Sequence, residues 1–486
     1  MTTAVARTST TLLAGSAPRL LLPATAAGSN TNPVRQFSSQ IVQVATHRQQ
    51  HKRPRHQCRG SSHDHRSPPS KVTQLTPLRT LATISNTQAS SNEPAQALII
   101  GAGPAGLAAA GVLTDLGLSS RSLVWVDPVF NGGRVQEKYR EVPSNTKVHT
   151  FLDYARACQV FKDIEAQAAT SSGPNGIKTM AELDQEKTCE LGKAVDMAQV
   201  LIGGLSERQG VNKVVGRVLA ADWTSEGVWN VTLESGETLP AERIVLATGS
   251  EPRPSVTPPG TTLIPLNLDD VLHPSTLHQV LPDPQSARVA VVGASHSAVL
   301  AIRNLNNAGV AHLTNFSRSE LKYAVYKKDY IMYDNTGLKG LAADWAREYL
   351  EEEGPHRDHS KITRVHLPGP GAQQPSEEEV YAQHLPDCTH ILHAWGFVPR
   401  ALPRITASGL KDVDASKGIE FDHETGRFFW KSSGGSGSKA YVPRLFGCGI
   451  AFPQRVTDPE GNVELAVGFW KFIKFLRSVG PAWASA

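Results

Sequence analysis

The chain's 486 residues are enough for two or three domains with sizeable cores, and its 40% hydrophobic and 19% charged residues suit a globular protein. The formal net charge of +4 hides an asymmetry, because residues 1–92 hold 11 of the 49 bases but only Asp64 of the 45 acids, leaving 38 bases against 44 acids elsewhere. That mildly acidic body argues against nucleic-acid binding, and the longest apolar stretch, Ala95 to Leu113, is broken by Gly101, Gly103, Pro104 and Gly106, so no transmembrane segment is expected.

The chain opens on a leader with no acid before Asp64, in which Arg7, Arg19, Arg35, Arg48, Arg53, Arg55 and Arg59 stand among many Ser, Thr, Ala and Leu. Such a basic, hydroxylated segment reads as a mitochondrial transit peptide directing the chain to the matrix. Arg35-Gln-Phe37-Ser38-Ser39 resembles a matrix-peptidase site, with cleavage after Phe37. The His- and Arg-rich stretch around Cys58 lacks ordered ligand spacing, so no metal site is expected.

From residue 93 a nucleotide-binding pattern begins. The apolar strand Ala97-Leu-Ile-Ile runs into Gly101-Ala-Gly103-Pro104-Ala105-Gly106 and then a small-residue helix. Gly101 permits the tight turn, Gly103 lets a pyrophosphate approach the backbone, and Gly106 lets the helix sit close on the strand. The phosphates would meet unpaired amides at the positive end of that helix. A second strand, Ser122 to Asp127, ends in a carboxylate 21 residues after Gly106, where a ribose-binding acid belongs. Helices are predicted over Phe151–Ala168 and Gly192–Ser206. A β-meander follows, with one strand over Lys213–Trp223 and the next over Val228–Leu233, and Pro252 to Pro259 reads as a linker.

The device then repeats. Arg288-Val-Ala-Val-Val leads into Gly293-Ala-Ser295-His-Ser297-Ala298, with serine and alanine replacing the later glycines. The next strand ends in Ser317-Arg318-Ser319, which offers no acid at the ribose position. Arg318 lies 20 residues beyond Ala298, where a cation and hydroxyls suit the 2′-phosphate of NADP. His296 reads as an exposed loop histidine rather than a nicotinamide contact. The turn-rich segment Tyr333 to Gly340 would line a substrate mouth, or cap a helix over Leu338–Glu353 through Asn335 or Thr336. A terminal helix through Val467–Leu476 should pack on the core.

Three linking segments accompany the paired turns: Arg243-Ile-Val-Leu-Ala-Thr248-Gly249-Ser250, His393-Ala-Trp-Gly396, and Tyr441 to Cys448-Gly449-Ile450. Together they resemble the two-dinucleotide-binding flavoprotein superfamily, which includes the pyridine nucleotide-disulfide oxidoreductases and the flavin-containing and N-hydroxylating monooxygenases. The resemblance spans about residues 95–475. It implies an α/β fold of two Rossmann-like domains of the three-layer ββα type, with the NAD(P) domain (287–387) inserted in a discontinuous FAD domain (93–255 and 388–486). FAD would be held by Gly101, Gly103, Pro104, Ala105, Gly106, Asp127, Gly133, Arg134, Thr248, Gly249 and Gly449. NADPH or NADH would be held by Gly293, Ser295, Ser297, Ala298 and Arg318. Ile450 replaces the family's usual ribityl-binding acid.

The stretch Gly132-Gly133-Arg134 and the later Asn145-Thr146 with Phe151 and Asp153 resemble the flavin-containing monooxygenase pattern. By that resemblance Asn145 is the catalytic candidate, its amide hydrogen-bonding an oxygen adduct or the nicotinamide. The F-x-G-x-x-x-H fingerprint is missing before the second turn. The five cysteines form no C-x-x-C, so electrons should leave the flavin for dioxygen, a quinone or a one-electron carrier. The resulting expectation is an FAD-dependent NAD(P)H oxidoreductase, a monooxygenase acting on a small molecule. The alternatives are a quinone-type acceptor reductase without a redox disulfide and a non-enzymatic flavoprotein redox sensor. Oligomeric state is left open.

Overall fold

A computed structural model describes residues 93–486 apart from 171–172, 370–374, 408–417 and 432–438. The transit-peptide and Phe37 expectations lie outside the described residues.

Two sheets organise the molecule. In the first, Tyr441–Gly447, Ile244–Leu246, Ala97–Ile100, Leu123–Asp127 and Asn212–Val215 run parallel in that order, and two antiparallel strands extend the edge beyond Tyr441–Gly447. Ala97–Ile100 is buried along its whole length because both of its faces are covered. Ala97 and Ile99 face the helical core around Leu107, Phe161 and Leu476. Leu98 and Ile100 face Trp229 and Val231 of a four-stranded meander sheet. This alternation makes the domain three layers: meander, parallel sheet, helices.

The second sheet has five parallel strands in the order Ile264–Leu266, His390–His393, Arg288–Val292, His312–Ser317, Ile362–His366. It draws in strands on both sides of the 287–387 segment. The chain enters through Ser250–Pro252 and returns through Phe397–Pro399, and these two crossings pair antiparallel. The nucleotide unit is therefore inserted into the first, with its entry and exit side by side.

Three elements differ from expectation. The run Lys213–Trp223 is two strands, Asn212–Val215 in the parallel sheet and Val218–Trp223 in the meander. The chain crosses between layers at Gly216, whose N–H donates to Asp127 O at 3.1 Å. The segment predicted as one helix from Phe151 is Val148–Ala155 followed by Gln159–Ala169. The second of these starts where Asp115, on a neighbouring helix, accepts from the Gln159 amide at 2.8 Å. The closing helix, Phe469–Ala484, continues past Leu476, and Trp483 stacks on Phe446 at 4.8 Å. Among the described residues no helix is long and apolar enough to cross a membrane.

Candidate functional site

The first turn is a tightly fitted joint. Gly101 has φ +112°, and a Cβ there would lie 2.3 Å from Ala247 O. A Cβ on Gly106 would lie 1.8 Å from Gly101 O, the carbonyl to which Trp125 Nε1 donates at 2.9 Å. Strand, turn and helix can close this far only without side chains at these positions. The helix Pro104–Asp115 begins at Gly103 with no side-chain cap, which leaves its amide end open to an anion.

Other residues gather round this end. Gly133 (φ +69°) brings its backbone against Gly103, whose Cα a Cβ on Gly133 would meet at 3.3 Å. Gly449 (φ +96°) brings the end of Tyr441–Gly447 against Ala105, where an added Cβ would come within 2.6 Å of the Ala105 Cβ. Tyr154 donates to Pro104 O at 2.6 Å from beneath. Asp127 accepts from the Ala102 amide at 2.7 Å and from the Val129 and Phe130 amides at 2.8 Å, so it fixes the turn while keeping one lone pair, on Oδ2, for a ribose hydroxyl. Thr248 Oγ1 is buried without a partner beside Gly101, and Gly249 turns the chain away with φ +73°. A close-approach backbone, an uncapped helix and an orphaned hydroxyl fit the pyrophosphate half of FAD. Ile450 is exposed at the position of the family's acid.

Two of the expected residues point elsewhere. Arg134 does not face the turn. Its guanidinium pairs with Asp269, which is 1% exposed and also accepts from Tyr139 Oη at 2.7 Å. A buried carboxylate needs such neutralisation, and this pair ties the FAD side to the segment entering the second sheet. Asn145 is exposed on the strand Pro143–Lys147, with Thr146 Oγ1 donating to its Oδ1 at 3.2 Å. It lines a groove of about 770 Å³ with Arg303, Asn307 and Trp345, between that strand and two helices of the nucleotide unit. Arg303 lies seven residues, about 10 Å, along the helix from the second turn.

The second turn repeats the joint. Gly293 has φ +137°, and a Cβ there would meet Ala394 O at 2.6 Å. Asn315 replaces the tryptophan, its Nδ2 donating to Gly293 O at 2.8 Å and Val291 O at 3.1 Å. Ala298 packs fully buried under the turn, Ser297 is partly buried, and Ser295 begins the helix His296–Asn307 without engaging its hydroxyl as a cap. The turn opens on a cleft of about 480 Å³ lined by Ser317, Arg318, Lys322, Tyr381 and Trp395. Arg318 is there, but bidentate with Glu377 at 2.8–3.1 Å.

His296 is not an exposed loop residue. Burial pushes its pKa down to about 4, and its Nδ1 has no partner. Burial also pushes His393 down to about 4, and Trp395 packs on that ring at 4.2 Å. Nor do Asn335 and Thr336 cap the following helix, Gly340–Tyr349. Glu464 accepts from both of their amides, at 3.0 and 3.1 Å, and from both side chains. Asp334 joins Lys339 at 2.5 Å and Lys471 at 2.8 Å. The segment Tyr333–Gly340 is thus a clasp between the inserted unit and the closing helix, with Thr336 also lining the cleft.

The cysteines are free thiols among the described residues. Burial pushes Cys158 and Cys448 up to about 12 and Cys189 up to about 11, so all three are protonated and unreactive near neutrality. Sequence reasoning did not find Glu377 and Glu464. Each lies dozens of residues from its partner, and nothing local marks it.

The chain matches the family described as pyridine nucleotide-disulphide oxidoreductase over residues 95–424. It is 40% identical over 411 residues to the monooxygenase AgnR1 of Paecilomyces divaricatus, covering 82% of this chain and all of the relative. Among solved structures, a flavin-containing monooxygenase from Stenotrophomonas maltophilia aligns at 14% identity and a TM-score of 0.46, covering 81% of this chain and 98% of that one. The bacillithiol disulfide reductase of Bacillus cereus aligns at 14% identity and a TM-score of 0.46, covering 81% and 99%.

Proposed function

The chain belongs to the pyridine nucleotide-disulphide oxidoreductase family, and we propose that this FAD-dependent NAD(P)H oxidoreductase is a monooxygenase acting on a small molecule with NADPH as reductant. The observation that carries the reading is the doubled joint. Two glycine turns of one build each open on a helix N-terminus, one unit is inserted in the other, and the thiols nearest the first turn are held protonated. Bound FAD would supply the chemistry of accepting a hydride and passing its electrons on.

The chain's residues bind and orient. Gly101, Gly103, Ala105 and Gly106 offer backbone and helix end to the pyrophosphate, with Asp127 at the ribose and Thr248 supplying a buried hydroxyl. Gly293, Ser295 and Ser297 do the same for the second nucleotide, and Arg318 reads the 2′-phosphate. Asn145 faces the seam between the units in a groove that no residue of the first turn lines, so the assignment of its amide to the oxygen-transfer half of the reaction rests on its likeness to the flavin-containing monooxygenase pattern. The protonated thiols argue against a dithiol relay, and the 40% identical monooxygenase supports dioxygen as the acceptor.

An oxygen electrode tests this reading. NADPH oxidation should consume oxygen and be stimulated by the right small molecule, and Asn145→Ala should lose product while keeping flavin reduction. NADPH oxidation driven by a quinone with no substrate-linked oxygen uptake would replace the monooxygenase reading. The acid-free leader supports import into the mitochondrial matrix. N-terminal sequencing of the protein recovered from mitochondria should begin at Ser38, and a cytosolic, uncut chain would refute it.

A further inference from the structure

Arg318 stands where a 2′-phosphate reader belongs, yet its fork is occupied. Nε and Nη2 donate to the Glu377 carboxylate at 3.1, 2.8 and 2.9 Å, the planar two-oxygen geometry in which guanidinium groups also hold phosphate. Glu377 is the first residue of the helix Glu377–His384, and that start is fixed. Ser376 Oγ accepts from the Glu379 amide at 3.2 Å, and the Glu379 carboxylate accepts from the Ser376 amide at 2.7 Å. One turn on, Tyr381 packs on Phe316 at 5.1 Å, bracing the helix against the strand that ends in Ser317. The carboxylate is therefore held at the fork by its own helix. Arg318 is 62% exposed, so the pair can open to solvent and to a ligand.

We propose that Glu377 is a specificity latch. It occupies the anion fork of Arg318 when no 2′-phosphate is present, is displaced when NADPH binds, and so sets how strongly NADPH is preferred over NADH. The proposal rests on the second turn being the NAD(P) site. The physical consequence is one-sided. A 2′-phosphate must break an ion pair and then sit beside the displaced carboxylate, whereas a 2′-hydroxyl leaves the pair intact.

Equilibrium titration of the FAD-loaded protein with NADP⁺ and NAD⁺, by calorimetry, tests this directly. Glu377→Gln should tighten NADP⁺ binding by about fivefold and leave NAD⁺ within about twofold, the scale of one solvent-exposed pair. Arg318→Ala should weaken NADP⁺ to the level of NAD⁺, and adding Glu377→Gln to that variant should change nothing further. An unchanged NADP⁺ affinity in Glu377→Gln would overturn the latch. So would a weaker NAD⁺ affinity, which is the result if the carboxylate accepts from the ribose 2′-hydroxyl instead. Binding requires no hydride transfer, so the two readings fail separately. A latch-dependent NADP⁺ affinity in a protein that NADPH cannot reduce sinks the redox reading alone. A reducible flavin with a silent Glu377 sinks the latch alone.

Discussion

Gly101 and Gly293 occupy equivalent joints, yet their replacement should have separable effects. An alanine Cβ at Gly101 would press on Ala247 O at 2.3 Å with the backbone at φ +112°, and nothing on that strand can yield without opening the FAD turn. Gly101→Ala should therefore be purified with little flavin. Gly293→Ala meets Ala394 O at 2.6 Å in the other unit and should retain its flavin but slow reduction by NADPH at least ~tenfold. Flavin content and anaerobic reduction rate distinguish the two, and loss of flavin in both would mean that the joints are not independent. The thiols make an opposite kind of prediction. With Cys158 and Cys448 pushed up to about 12, alkylation of the folded protein at neutral pH should be slow, and the Cys158→Ser/Cys448→Ser double variant should keep NADPH-driven turnover. A loss of turnover would restore a dithiol step.

At the scale of elements, the inserted unit carries a built-in acid weakness. His296, half-buried at the start of the helix of the second turn, and His393, buried at the end of the neighbouring strand, are desolvated, with pKa values near 4 against 6.5 when unfolded. The folded form binds fewer protons than the unfolded one below pH 6.5. Stability is thus complete above that pH and is lost as pH falls towards 4, by up to about 3 kcal/mol for each histidine. Thermal unfolding should show the unit around the second turn failing over this window, and a flat profile between pH 6.5 and 4.5 would contradict the burial. The clasp is the second elemental test. Glu464, 7% exposed, satisfies four donors of Asn335 and Thr336, so Glu464→Ala should destabilise by about 2–4 kcal/mol in urea unfolding. A change within 0.5 kcal/mol, the ordinary surface range, would show that the clasp does not hold the units together.

What could be read from the chain divides along the same line. Both joints were legible because a strand, spaced glycines and a small-residue helix are consecutive, so the steric requirement is written locally. Asp127 and Arg318 followed from spacing along the next strands. The run Lys213–Trp223 was misjudged because period-2 alternation reports a strand but not which sheet it joins. The break after Ala155 was hidden because Asp115, from another helix, serves the start of the next one. Arg134 was drawn off by Asp269, 135 residues away, and Arg318 was met by Glu377, 59 residues on. These pairings follow from the fold and leave no local mark.

For the whole molecule, the insertion with its paired crossings at Ser250–Pro252 and Phe397–Pro399 joins two nucleotide joints in one body. The second joint would then hold the nicotinamide and the first the flavin, which would supply the electron-transfer chemistry. The direct measurement is anaerobic mixing of the purified flavin-loaded protein with NADPH and, separately, NADH. NADPH should bleach the bound flavin within a single mixing, NADH should do so more weakly, and Gly293→Ala should suppress both. A flavin that stays oxidised with either nucleotide would contradict it.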